Sequence, residues 1–342
     1  MLMRVRYPQI VLGSLASAAP VLLWGNPDLE GGLWYDTVAK IFQEKNATCA
    51  RAVSNGFKLV VDQLSKKQFA EIEKDLNLCS APSEITTEQF LIYLQHATQL
   101  VAQFEFPFKS ADKVPFPFEV TCDSFVREEN AYMAMRTLLD TAYNNTLKLS
   151  CFWIESGEQS ELPFFTARRV IDDSFPASLH LNEIKERKEK QDGVIPLSDI
   201  NFELSWSYIC CSYFFMPVAG GNTSRDFFHF DHLFYPEGIS DYCERTFSVR
   251  PQTTPPFDPK ELKNTSNIMF SNMGFDPVKA FSIQQSVSTA VTLITIPSVG
   301  HTLDICGSTI DDHNDLKIAR VQEVATIRKW LQMSSKLQPS RM

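Results

Sequence analysis

Two stretches near the end of the chain limit its fold more than any other feature: SNIMFSNMGFDPVKAF at 266–281 and VTLITIPSVGHTLDICG at 291–307. Each opens with a short apolar run and breaks into a loop containing glycine. ARVQEVATIRKWLQM at 319–333 then places apolar residues at helical spacing and reads as a closing amphipathic helix. Short buried strands followed by a helix are the grammar of the last part of an open α/β sheet, where functional groups gather at the carboxyl ends of the strands. Asp276 and His301 both stand at such ends, 25 residues apart. A carboxylate that accepts from one imidazole N–H fixes the tautomer and stabilises the imidazolium, and the other ring nitrogen is then free to act as a general base. Asp before His near the C-terminus is the order of the α/β-hydrolase triad, Ser…Asp…His. On these two residues alone, an Asp turn-former and a surface loop histidine remain the alternative.

Ahead of that segment the periodicity is helical. From Gly32 to about Asn145, the runs YDTVAKIFQE, SNGFKLVVDQLSKKQF, TTEQFLIYLQHATQLVAQF and REENAYMAMRTLLDTAYN place apolar residues at i, i+3/i+4 and i+7. Thr86-Thr87-Glu88 and Asp123-Ser124 read as helix starts, and KVPFPFEVTC as a proline-rich link between the last two helices. Residues 155–200 lack a pattern, and EIKERKEKQDG within them reads as a solvated face or a loop. The 44% hydrophobic content and 26 phenylalanines suit a sizeable core. The net charge of −9 argues against nucleic acid as a partner, since phosphate binding needs a basic face. No apolar run approaches the roughly 18 residues of a membrane span.

Eight cysteines without a C-x-x-C pair argue against a zinc ribbon and fit long-range disulfides or scattered core thiols. The N-x-S/T sequons at Asn46, Asn144, Asn222 and Asn264 favour a secretory-pathway protein with disulfides and glycans. His229 and His232 in HFDH have no third ligand in sequence and read as surface residues, so no metal and no cofactor is expected. Residues 1–24 have the outline of a signal peptide, with Arg4 and Arg6 followed by an apolar run and small residues.

The wording around Asp276 and His301 resembles the prolyl-specific serine exopeptidases, the family of lysosomal prolylcarboxypeptidase, dipeptidyl peptidase II and the thymus-specific serine protease. Members read approximately SNIVFSNGxLDPW, then a VTI strand and GAHHLDL. WSYICCSYFFMP at 206–217 resembles their WSYQACTE, DYCERTFSVRP at 241–251 their cysteine, aromatic and V-R-P turn, and RYPQIVLGSLASAAPV at 6–21 their KYPHLVxGALAASAPV. The likeness spans nearly the whole chain, broken near 155–200. In the family the KYP segment follows the nucleophile elbow, so residues 1–24 are read as the tail of a helix and a core strand and not as a genuine signal peptide. The chain has no G-x-S-x-G; GSLAS at 13–17 falls within the expected strand.

The resemblance implies an α/β-hydrolase fold, N-terminally incomplete, with a large inserted helical cap. Core segments are expected at 1–34 and 256–342, with the cap at 35–255 and an irregular insertion near 155–200. Asp276 aligns with the triad acid and His301 with the base, the nucleophile serine not being present. Relatives imply bridges Cys49–Cys122, Cys79–Cys151 and Cys211–Cys243. Cys210 is left without an obvious partner, and Cys306, where the family usually has Arg, is expected to be a buried thiol. Met216 matches a methionine lining a proline-sized pocket. Val278 replaces the tryptophan after Asp-Pro, which widens that pocket and weakens stacking on proline. Tyr213 replaces an acidic residue, and Lys279-Ala280-Phe281 replaces a glycine-rich run. The activity implied is that of a serine exopeptidase acting on peptide substrates, cutting after proline or a small apolar residue, as a carboxypeptidase or dipeptidyl peptidase, lysosomal or secreted. The alternative is a non-catalytic truncated member that binds peptides or has no function. Monomer and homodimer both remain open.

Overall fold

The computed structural model describes residues 1–23, 32–79, 86–108, 114–128, 130–143, 150–152, 202–212, 226–230, 236–251 and 258–337. A short helix, α1 (Leu2–Arg6), leads into β1 (Ser14–Ser17). Helices α2 (Leu33–Lys45), α3 (Ala47–Ser65), α4 (Phe69–Leu76), α5 (Thr87–Gln103), α6 (Pro117–Arg127) and α7 (Ala131–Tyr143) follow. After them come α8 (Phe202–Ser212) and α9 (Pro236–Phe247), then β2 (Ile268–Met273), β3 (Val291–Ile296) and α10 (Asn314–Leu337).

The three strands form one parallel sheet in the order β1-β2-β3. All six residues of central β2 are buried, as expected for a parallel strand covered on both faces. Alternation along β2 divides the core in two. Ile268 and Phe270 join Ala16 and Val291 over α1, while Met269 and Met273 join Ile294, Ile296 and the aromatic interior of the helices. Arg4 closes the α1 side by donating to the Ser266, Pro8 and Val11 carbonyls.

Local signals explain most helix ends. Thr86 caps α5 with a reciprocal Thr86–Gln89 box. Asn46 caps α3 by accepting from Cys49 N–H at 3.0 Å. Three expectations change. Asp123 and Ser124 start no helix; they lie in the last turns of α6, and Asp123 pairs with Arg127 one turn on. The proline-rich link is largely helix, because Pro117 occupies the first turn, where its missing N–H costs nothing. The core strand expected within residues 1–24 is confined to four residues, Ser14–Ser17.

The bridges Cys49–Cys122, Cys79–Cys151 and Cys211–Cys243 are all present. The first ties α3 to α6 across 73 residues of sequence. Cys210 and Cys306 are free, and Cys306 is exposed rather than buried, because the loop after Asp304 turns it outward towards solvent. No helix among the described residues is long and apolar enough to cross a membrane.

Candidate active site

Strand β2 ends in the turn Gly274-Phe275-Asp276. A Cβ on Gly274 would lie 2.0 Å from the Pro297 carbonyl oxygen, so only glycine lets the two strand-end loops run this close. Phe275 N–H reaches Val299 O at 3.1 Å and completes the clamp. Asp276, 1% exposed, directs Oδ1 to the Val278 N–H at 3.0 Å, capping the 3-10 turn Pro277–Phe281. Its Oδ2 stands 2.7 Å from His301 Nδ1. With both oxygens engaged, the carboxylate has one orientation, and it fixes the ring.

His301 is delivered by the loop after β3, and the helices hold that loop directly. Gly300 N–H donates to Glu105 O at 3.0 Å and His301 N–H to Gln103 O at 2.7 Å. A Cβ on Gly300 would meet Gln103 O at 2.4 Å and Glu105 N at 2.7 Å. The histidine is thus fixed at its backbone by the end of α5 and at its ring by Asp276. Thr302 follows with φ 56°, in the left-handed region, where a β-branched residue costs on the order of 1 kcal/mol. Burial, the largest single influence on His301, disfavours the imidazolium. The Asp276 charge and hydrogen bond, with Asp304 adding to them, outweigh it and raise the pKa above its ordinary value. The pair therefore suits a base that must hold a proton once it has taken it.

Other expected site residues are placed as follows. Val278 is buried and donates its N–H to Asp276. Lys279 reaches back to Gly274 O at 2.6 Å, and its burial lowers the amine pKa. Met216, Tyr213, Asn144, Asn222 and His232 lie outside the described residues. Asn264 is exposed and Asn46 half-buried. His229 is exposed, and its Nε2 meets Ser54 Oγ at 2.8 Å. Trp206 packs against the core, and Tyr208 meets Phe247 edge to face. Among the described residues no cluster of three His, Cys, Asp or Glu side chains could hold a metal ion.

Two groups escaped the reading of the sequence. Glu105, 3% exposed, accepts from Phe118 N–H at 2.7 Å at the start of α6, and burial pushes its pKa up to about 8. Nothing local marks it, because its role depends on α5, α6 and the His301 loop meeting. The other, Glu323, sits on α10 seven residues after Leu316 and seven before Trp330, on the face that covers the sheet, and its charge hid it there.

Residues 1–323 match the family described as Serine carboxypeptidase S28. Among curated proteins, the chain is similar to the lysosomal Pro-X carboxypeptidase of Bos taurus, 23% identical over 96% of this chain and 60% of the relative. It is also similar to prolyl carboxy peptidase like protein 5 of Caenorhabditis elegans, 24% identical over 96% of this chain and 62% of the relative. The human lysosomal Pro-X carboxypeptidase is 23% identical with the same coverage as the bovine protein. The chain thus spans about 60% of the length of the curated relatives it matches.

Proposed function

Since the chain belongs to the serine carboxypeptidase S28 family, we propose that it carries the acid and base of a serine-peptidase triad, Asp276 and His301. The observation that carries this reading is the 2.7 Å bond between Asp276 Oδ2 and His301 Nδ1 at the ends of adjacent parallel strands. Residues 1–342 themselves hold no G-x-S-x-G. In this reading the site is completed by the nucleophilic serine of the elbow that, in the family, precedes the segment resembled by residues 6–21. His301 Nε2 takes its proton as the hydroxyl attacks a peptide carbonyl, and returns it to the leaving amine. Asp276 keeps the imidazole in the required tautomer and stabilises the imidazolium. Backbone N–H donors near the elbow stabilise the oxyanion by about 3–4 kcal/mol each.

The substrates in this reading are peptides with proline or a small apolar residue before the cut. The names of the relatives favour carboxypeptidase over dipeptidyl-peptidase action, and a lysosomal or secreted location. Val278 in place of a tryptophan favours a pocket less strict for proline. The helices between β1 and β2 act as a cap that restricts entry to chain ends, which supports exopeptidase action.

The test is labelling with a fluorophosphonate probe of the protein purified from its native source. Labelling of one serine, lost in His301→Ala, is the expected result. A folded protein that takes up no probe overturns the reading and leaves a peptide-binding, non-catalytic relative.

A further inference from the structure

The loop that carries His301 holds a second buried acid. Asp304, 4% exposed, accepts from the Ser17 hydroxyl at 2.6 Å and the Ile305 N–H at 3.0 Å through Oδ1, and from the Ser271 hydroxyl at 2.5 Å through Oδ2. Ser17 and Ser271 are register partners on β1 and β2, so the strand pairing itself aims both hydroxyls at one carboxyl group. Glu323, on α10 and 5% exposed, follows one turn after Arg320, which donates to the Asp304 carbonyl at 3.0 Å. The Oε1 of Glu323 is buried without a partner, and the charge and hydrogen bond of Asp304 act on its carboxyl.

Two neighbouring carboxyl groups held out of water do not readily both stay ionised, and a single shared proton removes the repulsion and supplies a hydrogen bond. Neutralisation by a cation is not the arrangement found. Arg320, one turn before Glu323, donates to the backbone oxygens of Asp304, Leu303 and Cys306 at 3.0, 2.7 and 3.1 Å, and pairs with the Asp312 carboxylate. Its charge is directed to the loop backbone and to Asp312. Other ionisable groups near the pair are His301 and Cys306 on the same loop, while β1 and β2 supply the two serine hydroxyls.

We propose that Asp304 and Glu323 hold one proton between them, and that the pair positions the His301 loop and keeps a negative charge near the imidazole. Two further features agree with it. Burial first, then the charge and hydrogen bond of Asp304, push Glu323 up to about 7 against the opposing pull of Arg320. Asp304 is also among the charges that raise His301. Both acids are positioning residues; they act through His301 and do not touch substrate. Their consequence for catalysis rests on the peptidase reading above, but the proton-sharing does not.

The experiment follows the melting temperature from pH 5 to 8, and His301 by NMR on histidine-labelled protein, in the parent, Glu323→Gln and Asp304→Asn. Glutamine keeps the shape of glutamate and can donate an N–H to Asp304 where the shared proton did. The sign is set by the raised pKa. The folded pair retains a proton that the unfolded carboxyls have released, so the parent loses stability as pH rises from about 4.5 to about 7. Glu323→Gln is expected to remove the pair's share of that decline, leaving the share that belongs to Glu105, and Asp304→Asn to move the His301 midpoint to lower pH. A uniform drop in melting temperature with the slope intact, or a parental slope in Glu323→Gln, overturns the shared proton. An unmoved His301 midpoint in folded Asp304→Asn overturns the electrostatic part. If Asp304→Asn does not fold, the slope in Glu323→Gln decides alone. Neither readout needs activity, so failure of the fluorophosphonate test would leave both interpretable.

Discussion

The helices of 33–143 and the sheet with its closing helix α10 are built to different standards. In the first region Phe42, Phe57 and Phe90 are fully buried, Phe42 packs 4.6 Å from Phe118, and the Cys49–Cys122 bridge crosses the interior. Among the described residues, only Val120, Val126 and Met133 there are large apolar side chains that are exposed. Among the described residues the sheet has three strands, and α10 covers it with Leu316, Ala319 and Trp330, the last packed onto Gly13. Yet α10 alone exposes Ile318, Val321, Val324, Ile327, Leu331 and Met333. One region is held by a closed aromatic core; the other depends more on polar bonds at its loops, through Asp276, Asp304 and Arg320. The closed aromatic packing and the Asp276–His301 pair therefore lie in different places, joined where Gly300 and His301 hang from the end of α5.

The largest expected effect tests the closed core. Phe42→Ala removes a ring that also meets Phe227 edge to face at 5.5 Å, and should cost about 3–5 kcal/mol in denaturant unfolding. A loss under 1 kcal/mol would show that this interior is less tightly packed than the comparison requires.

An intermediate effect lies at the joint. Glu105, raised to about 8 by burial, is neutral when folded at pH values where the unfolded carboxyl is ionised. Its stabilising contribution is complete below the ordinary carboxyl pKa of 4.5 and is lost as pH rises through about 8. Glu105→Gln should remove that part of the decline in melting temperature and retain an oxygen for the Phe118 N–H. If the decline is unchanged, Glu105 is ionised where it stands, and the joint is wetter than the two regions it connects.

The smallest effect tests the open face. Val321→Lys, on a side chain 69% exposed, should change stability by no more than about 0.5 kcal/mol. A larger loss would mean that α10 is covered in solution, and the contrast between the regions would narrow.

Much of the candidate site was legible in the sequence. Asp276 and His301 stood out because a strand end, a loop and the order of residue types are all local features. The bridges followed from family likeness, not from spacing, since pairings cannot be read from cysteine positions. The misread start at Asp123-Ser124 shows the limit of local signals. Those residues are good N-caps anywhere, but Pro117 had already opened α6 and its continuation placed them inside it. Cys306 failed for the opposite reason, since the direction of a loop is set by what it packs on.

By itself, then, the sequence determined the helical and strand grammar, the family, and the two residues that meet at 2.7 Å. Periodicity, turn chemistry and residue order are short-range properties, and they survive without knowledge of the rest of the chain. Only the tertiary structure decided that Gln103 and Glu105 carry the His301 loop, that Ser17 and Ser271 converge on Asp304, and that Glu323 turns inward. Those contacts join residues up to 287 positions apart, and their energy comes from burial and hydrogen bonding between elements, which no local pattern encodes.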